Sequence, residues 1–191
     1  MVSQFISPDK VGLLGDLDFN FPEGTHAIGR LDNNSEGLLI LTTNKRVTAL
    51  LFQSQVPHKR TYLVQVEKVV NEERLNALRT GIEIRIKGGG YYTTTPCDVE
   101  IVEKPKDLPK RGHEFRDDLP QTWLLITLTE GKYHQIRKMV SAVHHHCKRL
   151  IRVSIENLEL GDLEPGCVKE IEEVEFFEKL KITEWKSEEL S

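Results

Sequence analysis

A chain of 191 residues with 38% hydrophobic content and a formal net charge of −4 has enough apolar side chains for a packed core. No run approaches the roughly 18 apolar residues that span a bilayer, and the N-terminus lacks the basic flank and apolar stretch of a signal peptide, so a soluble cytoplasmic protein is expected. Three cysteines, Cys97, Cys147 and Cys167, show no Cys-x-x-Cys spacing, which excludes a disulfide framework and a four-ligand zinc site and leaves free thiols.

A negative total charge argues against a polyanionic partner, because phosphate binding rests on Lys and Arg. The distribution reverses that impression. From Glu156 to the C-terminus there are 12 acidic and 4 basic residues, whereas the first 155 residues hold 22 basic and 18 acidic. Between Gly131 and Ile155 stand Lys132, Arg137, Lys138, Lys148, Arg149 and Arg152 with no Asp or Glu, a concentrated footprint of the kind a nucleic-acid binder needs.

In chain order, Val2 to Ser7 is short enough for a strand, and a Gly/Asp/Pro-rich passage with little periodicity follows up to residue 28. Gly29 to Asn44 reads Gly-Arg-Leu-Asp-Asn-Asn-Ser-Glu-Gly-Leu-Leu-Ile-Leu-Thr-Thr-Asn, a polar turn that feeds at Gly37 into the apolar run Leu38 to Leu41. Arg30 and Asp32 would point to one side of an extended backbone, where a charge-assisted hydrogen bond keeps the carboxylate anionic. Such a pair is either a surface ion pair or a poised nucleophile or base.

Asn44 can cap a helix whose apolar stripe is Val47, Leu50 and Leu51. Lys59 to Glu67 alternates as a half-buried strand with Tyr62, Val64 and Val66 on one face. Asn71 to Thr80 reads as a helix with an Asn cap, Glu72 and Glu73 in the first turn and Gly81 as its stop. Ile82, Ile84 and Ile86 alternate as a strand, and Gly88-Gly89-Gly90 turns the chain into a second strand, Tyr91 to Val102, as a hairpin. The glycine triplet lacks the Lys-Ser/Thr context of a phosphate cradle and is read as a turn.

Lys104 to Gln121 forms a long loop with three prolines, of the length that is usually functional, before the strand Thr122 to Thr129. Glu130-Gly131-Lys132-Tyr133-His134-Gln135-Ile136-Arg137-Lys138-Met139-Val140 follows, with Ile136, Met139, Val140 and Val143 at the spacing of an amphipathic helix. Lys132, His134, Gln135 and Arg137 near its start offer donors for phosphates and base edges. His144-His145-His146-Cys147 suggests a metal, but consecutive residues fan around a helix and cannot face one ion, so no metal is expected. Ile155 to Gly161 reads as a strand, Pro165-Gly166 as a turn, Ile171 to Leu180 as a helix burying Val174, Phe177 and Leu180, and Trp185 to Ser191 as a tail.

Three segments resemble the motifs of the RsuA-like family of ribosomal RNA pseudouridine synthases. They are Gly29 to Asn44, the Lys59-Arg60-Thr61-Tyr62 segment, and Glu130 to Met139 with the downstream Lys148-Arg149-Leu150-Ile151-Arg152. The loop 104–121 and the strand after it are most similar to the large-subunit branch of that family. The resemblance implies Asp32 as the essential catalytic residue. It implies Tyr62 against the target base and assisting proton removal, Arg137 as the salt-bridge partner of Asp32, and Leu150 packing beside the base. Arg30, Lys132, His134, Gln135 and Lys138 are the further candidates for RNA contact. The family's Lys-Pro dipeptide ahead of Gln4-Phe5 is missing, so a single catalytic domain over residues 1–191, truncated at its N-terminus and without the S4-type RNA-binding domain, is expected.

The expected fold is α+β, a mixed, mainly antiparallel sheet flanked by helices with a central catalytic cleft. The expected function is isomerisation of a specific uridine to pseudouridine in large-subunit (23S) ribosomal RNA by a monomer, with no cofactor, no DNA and no membrane partner. Another class also fits, a non-catalytic rRNA-binding or ribosome-assembly module on the same fold. A hydrolytic glycosidase is disfavoured, because Glu36 is the nearest second carboxylate to Asp32 and such enzymes use a pair.

Overall fold

The computed structural model describes residues 1–52, 57–183 and 185. A 3₁₀ turn, Leu14–Asp16, leads into β1 (His26–Ile28), β2 (Glu36–Gly37), β3 (Ile40–Thr42), α1 (Val47–Phe52), β4 (Arg60–Glu67), α2 (Glu72–Thr80) and β5 (Glu83–Arg85). Then follow β6 (Tyr91–Thr93), β7 (Asp98–Val102), β8 (Gln121–Leu128), α3 (Gln135–Ala142), β9 (Cys147–Ile155), β10 (Leu158–Glu159) and α4 (Glu173–Lys179). The chain divides into two compact units, Met1–His58 with Val153–Ser191, and Lys59–Arg152.

The second unit is built on neighbouring strands in the order β9-β4-β8-β7. β4 and β8 pair antiparallel from Arg60 opposite Leu128 to Glu67 opposite Gln121, and β7 pairs antiparallel with β8. Helices α2 and α3 contribute Leu75, Leu78, Ile136, Met139 and Val140 to a core shared with Val64, Val66, Leu124, Ile126 and Leu150. The alternation of β4 predicted one wet face, yet Leu63 and Gln65 are buried together with Val64 and Val66. The Gln65 side-chain N–H donates there to Gln121 Oε1 at 2.5 Å, while its own Oε1 is buried without a hydrogen-bond partner among the described residues.

Helix α2 follows its sequence signals closely. The Asn71 side chain accepts from the Arg74 N–H at 3.0 Å, and Gly81 ends the helix at φ 103°. β5 and β6 form the expected hairpin, Glu83 opposite Thr93. The expected continuous strand 91–102 is broken, because Thr94 bonds Ile82 through both its N–H and its hydroxyl and Cys97 N–H turns to Arg79 O. Helix α3 stops at Ala142, and His144 takes φ 63°. The His-His-His-Cys run is therefore a turn entering β9 and not a helix.

The first unit holds its own core of Ile28, Leu38, Ile40, Val47, Leu51, Ile155, Phe176, Phe177, Leu180 and Ile182, with β1 and β3 paired antiparallel. Three expectations change here. Val2 to Ser7 makes no strand, because its hydrogen bonds scatter, Val2 N–H to Gly12 O and Leu14 N–H to Gln4 O. The strand 155–161 is the end of β9 and β10, folded back on each other around Glu156 at φ 49°. Val174 is 50% exposed while Phe176 is buried in its place beside Phe177, so α4 buries adjacent aromatics in an edge-on pair 5.2 Å apart. Trp185 stacks on Phe177 at 4.5 Å; the rest of the expected tail, residues 186–191, lies outside the described residues.

Candidate functional site

Asp32 sits half-buried in the first unit, where the chain leaves Gly29 at φ 72° and closes a turn with Ser35 N–H donating to Asp32 O at 2.8 Å. Two contacts fix this loop. Ser3 Oγ accepts from Leu31 N–H at 3.1 Å and donates to Leu31 O at 3.4 Å, and a Cβ at Gly29 would stand 3.3 Å from the Phe52 ring. The chain bends at Gly29 and turns at Asn33 and Asn34. Arg30 is exposed. Ser3 was not recognisable from sequence, since its partner lies 28 residues away.

In the second unit, Tyr62 on β4 packs on the core that contains Leu150 of β9. Arg152, two residues after Leu150, is buried, on the strand next to that of Tyr62. Glu67 N–H donates to His146 O at 3.1 Å, so β4 and β9 run in opposite directions. Burial pushes the Arg152 pKa down, and the Tyr62 phenol opposes that shift. Arg137 is half-buried near the start of α3, whose apolar face enters the same core through Ile136, Met139 and Val140. The second unit thus gathers Tyr62, Leu150 and Arg137 on elements packed around one core.

The turn before α3 is built around Glu130. Burial alone would raise its pKa, but hydrogen bonds from the Tyr92 hydroxyl, the Thr95 N–H and the Gln135 amide hold it below the usual value. The same bond pushes the Tyr92 phenol up. Gln135 is only 4% exposed; its amide donates to Glu130 at 2.7 Å and accepts from Lys132 N–H at 2.8 Å. Sequence suggested Gln135 as an RNA donor, whereas the structure uses its amide as a brace within the turn. Lys132 is exposed, and His134 and Lys138 are partly so.

The basic run 131–155 is less of a surface than its charge suggests. Arg149 is buried, bonding Pro109 O at 2.8 Å and Glu114 at 3.5 Å. Arg111 Nη2 donates to Lys148 O at 2.6 Å, and Lys148 pairs with Glu67 at 2.7 Å. These bonds pin the 103–120 loop onto the beginning of β9. His145 is also buried, its Nδ1 2.8 Å from Glu67 O and its Nε2 3.1 Å from Arg74 Nη1; both ring nitrogens are engaged by protein. Among the described residues no group of three or more His, Cys, Asp or Glu could hold a metal ion, and no helix is long and apolar enough to cross a membrane.

The profile of the family described as RNA pseudouridylate synthase matches residues 16–142. Ribosomal large subunit pseudouridine synthase E of Vibrio parahaemolyticus is 38% identical over 176 residues, covering 90% of this chain and 69% of that protein. Its namesake in Vibrio vulnificus is 40% identical over 174 residues, covering 89% of this chain and 70% of that protein. A crystal structure of a pseudouridylate synthase superposes with a TM-score of 0.72 at 27% identity, covering 94% of this chain and 68% of the other. Its α+β architecture is the one expected from the sequence. The chain belongs to the RNA pseudouridylate synthase family and is a pseudouridine synthase.

Proposed function

We propose that this enzyme isomerises a specific uridine of large-subunit ribosomal RNA to pseudouridine, as a cytoplasmic monomer acting on RNA and not on DNA, without a cofactor. The observation that carries this reading is the pair of relatives named for large-subunit pseudouridine synthase E, 38% and 40% identical across about nine-tenths of the chain.

The reaction breaks the N1–C1′ bond of uridine, turns the uracil without releasing it, joins C5 to C1′ and expels the C5 proton. No electrons are gained or lost. Asp32 serves as the nucleophile at C1′ or as the base that removes the C2′ proton to give a glycal, and either route needs its anionic form. Arg137 supports that carboxylate. A stacked uridine cannot expose these atoms, so the nucleotide is extruded at a cost of a few kcal/mol. Stacking on Tyr62 and contact with Leu150 offset part of that cost. Tyr62 also assists removal of the C5 proton. Arg30, Lys132, His134 and Lys138 contribute RNA contacts, and Gln135 contributes through the turn it braces.

The test is tritium release from [5-³H]uridine-labelled ribosomal RNA or a subunit assembly intermediate. The wild-type enzyme releases tritium and Asp32→Asn does not. Absence of release from every large-subunit substrate, or full release by Asp32→Asn, overturns the reading.

A further inference from the structure

The turn ahead of α3 is more elaborately built than a connection requires. Glu130 receives the Tyr92 hydroxyl, the Thr95 N–H and the Gln135 amide, and Gln135 in turn captures the Lys132 N–H. His134 is held at φ 54°, ψ 33°, the left-handed region that residues with a Cβ seldom occupy. This framework presents an aromatic pair outward. The Tyr133 and His134 rings stack with centroids 3.9 Å apart and 17° between planes, and Tyr133 remains 64% exposed.

One lysine lies over the pair and a second over a neighbouring ring. Lys138 Nζ lies 5.3 Å from the Tyr133 ring centroid, and Lys132 Nζ lies 4.6 Å from that of Tyr92. No Asp or Glu occurs in the sequence from Gly131 to Ile155. Tyr133 contributes nothing to the core at this exposure, so its apolar area is left facing solvent by a turn whose conformation is actively held. Flat π faces among ammonium groups are how proteins grip unpaired nucleotides, the base stacking on the ring and the phosphates meeting the cations.

We propose that the Tyr133–His134 stack is a docking plate for an unpaired RNA base other than the uridine being isomerised, with Lys132 and Lys138 on the adjoining phosphates. The plate rests on the RNA-isomerase reading above and adds a second purchase on the strand. It holds the RNA while the target nucleotide leaves its stack, and it favours substrates with an unpaired nucleotide beside that target.

The probe is a short single-stranded oligoribonucleotide carrying 2-aminopurine, titrated alongside the same sequence annealed to its complement. Tyr133→Ala weakens single-strand binding about tenfold and abolishes the quenching of 2-aminopurine, while Tyr133→Phe keeps both. Tyr133→Leu, which keeps an apolar side chain but has no π face, behaves as Tyr133→Ala. Neither Tyr133→Ala nor Tyr133→Leu changes the salt dependence of binding, whereas Lys132→Gln and Lys138→Gln each flatten the single-strand slope by about 0.7. Duplex binding is indifferent to Tyr133→Ala.

Undetectable single-strand binding by the wild type, wild-type binding by Tyr133→Leu, or equal loss on duplex and single strand overturns the plate. Tritium release separates the two readings. Oligonucleotide results as expected without tritium release leave the plate standing and remove the isomerase. Normal release by Tyr133→Ala with unchanged KM, beside unchanged oligonucleotide binding, removes the plate alone.

Discussion

Arg152, only 4% exposed, lies on the strand next to that of Tyr62, and the Tyr62 phenol counters the effect of burial on the guanidinium. A cation buried this deeply is retained against its desolvation only where partners reward it. Here that partner is the phenol that we assign to the target base, which makes Arg152 a positioning residue for Tyr62. The interaction of a charged group with a polar partner contributes about 1.5–3 kcal/mol. Arg152→Met therefore lowers kcat by about tenfold to a hundredfold, with a smaller change in KM. Single-turnover kinetics on the double variant decide how the effect travels. If Arg152 acts through Tyr62, Arg152→Met with Tyr62→Phe is no slower than Tyr62→Phe alone; additive losses place the work of Arg152 elsewhere.

The Glu130 network sets a pH dependence of stability. Its three donors depress the folded pKa of Glu130 below the ordinary 4.5, so the stabilisation is fully present above that value and lost as pH falls through the folded pKa. Glu130→Gln loses the charged acceptor and is less stable than wild type at pH 7, by about 1–3 kcal/mol. Urea unfolding as a function of pH checks this. The difference between the two proteins narrows as the pH drops below 4.5, and a difference that widened there would contradict the assignment.

What could be read from the sequence, and what could not, divides along the range of the interactions. The Asn71 cap and the stop at Gly81 were readable because each is decided by bonds within a few residues. The family was readable through whole motifs. Ser3 was invisible, because only the folded loop brings it to Leu31. Gln135 looked like a free donor, since nothing local shows that Glu130 and the Lys132 N–H consume its amide. Arg149 and Arg152 counted as surface charge, although β9 carries both into the interior. Lone polar residues are ambiguous in sequence for this reason: burial is a property of their neighbours.

Two glycines separate steric collision from backbone strain. Gly81 has φ +103°, and a Cβ there would lie 2.4 Å from Thr94 O, a backbone atom that cannot swing aside. Gly88 has nearly the same φ, +99°, with nothing within 4 Å. Gly88→Ala pays only for conformation, about 1–2 kcal/mol. Gly81→Ala pays that and must also displace the 94–96 backbone, so its loss exceeds about 3 kcal/mol. Thermal unfolding of the two variants gives the comparison directly, and equal losses would show that the Thr94 contact relaxes at no cost.

The three thiols differ in reactivity for reasons that are visible in their surroundings. Burial pushes Cys97 up to about 11, with Asp98 and Glu130 adding to the shift. At pH 8 this leaves about one molecule in a thousand as the reactive thiolate. Burial also raises Cys147, although Arg137 and Arg111 oppose it. Cys167 is exposed. Titration of the native protein with a disulfide reagent at pH 8 therefore shows one fast thiol and two slow ones, and Cys167→Ser removes the fast phase alone. Denaturant exposes the remaining two together. Fast modification of Cys147 in the native protein would instead mean that the start of β9 opens readily, which the Arg111 and Arg149 bonds to the 103–120 loop and to Lys148 O oppose.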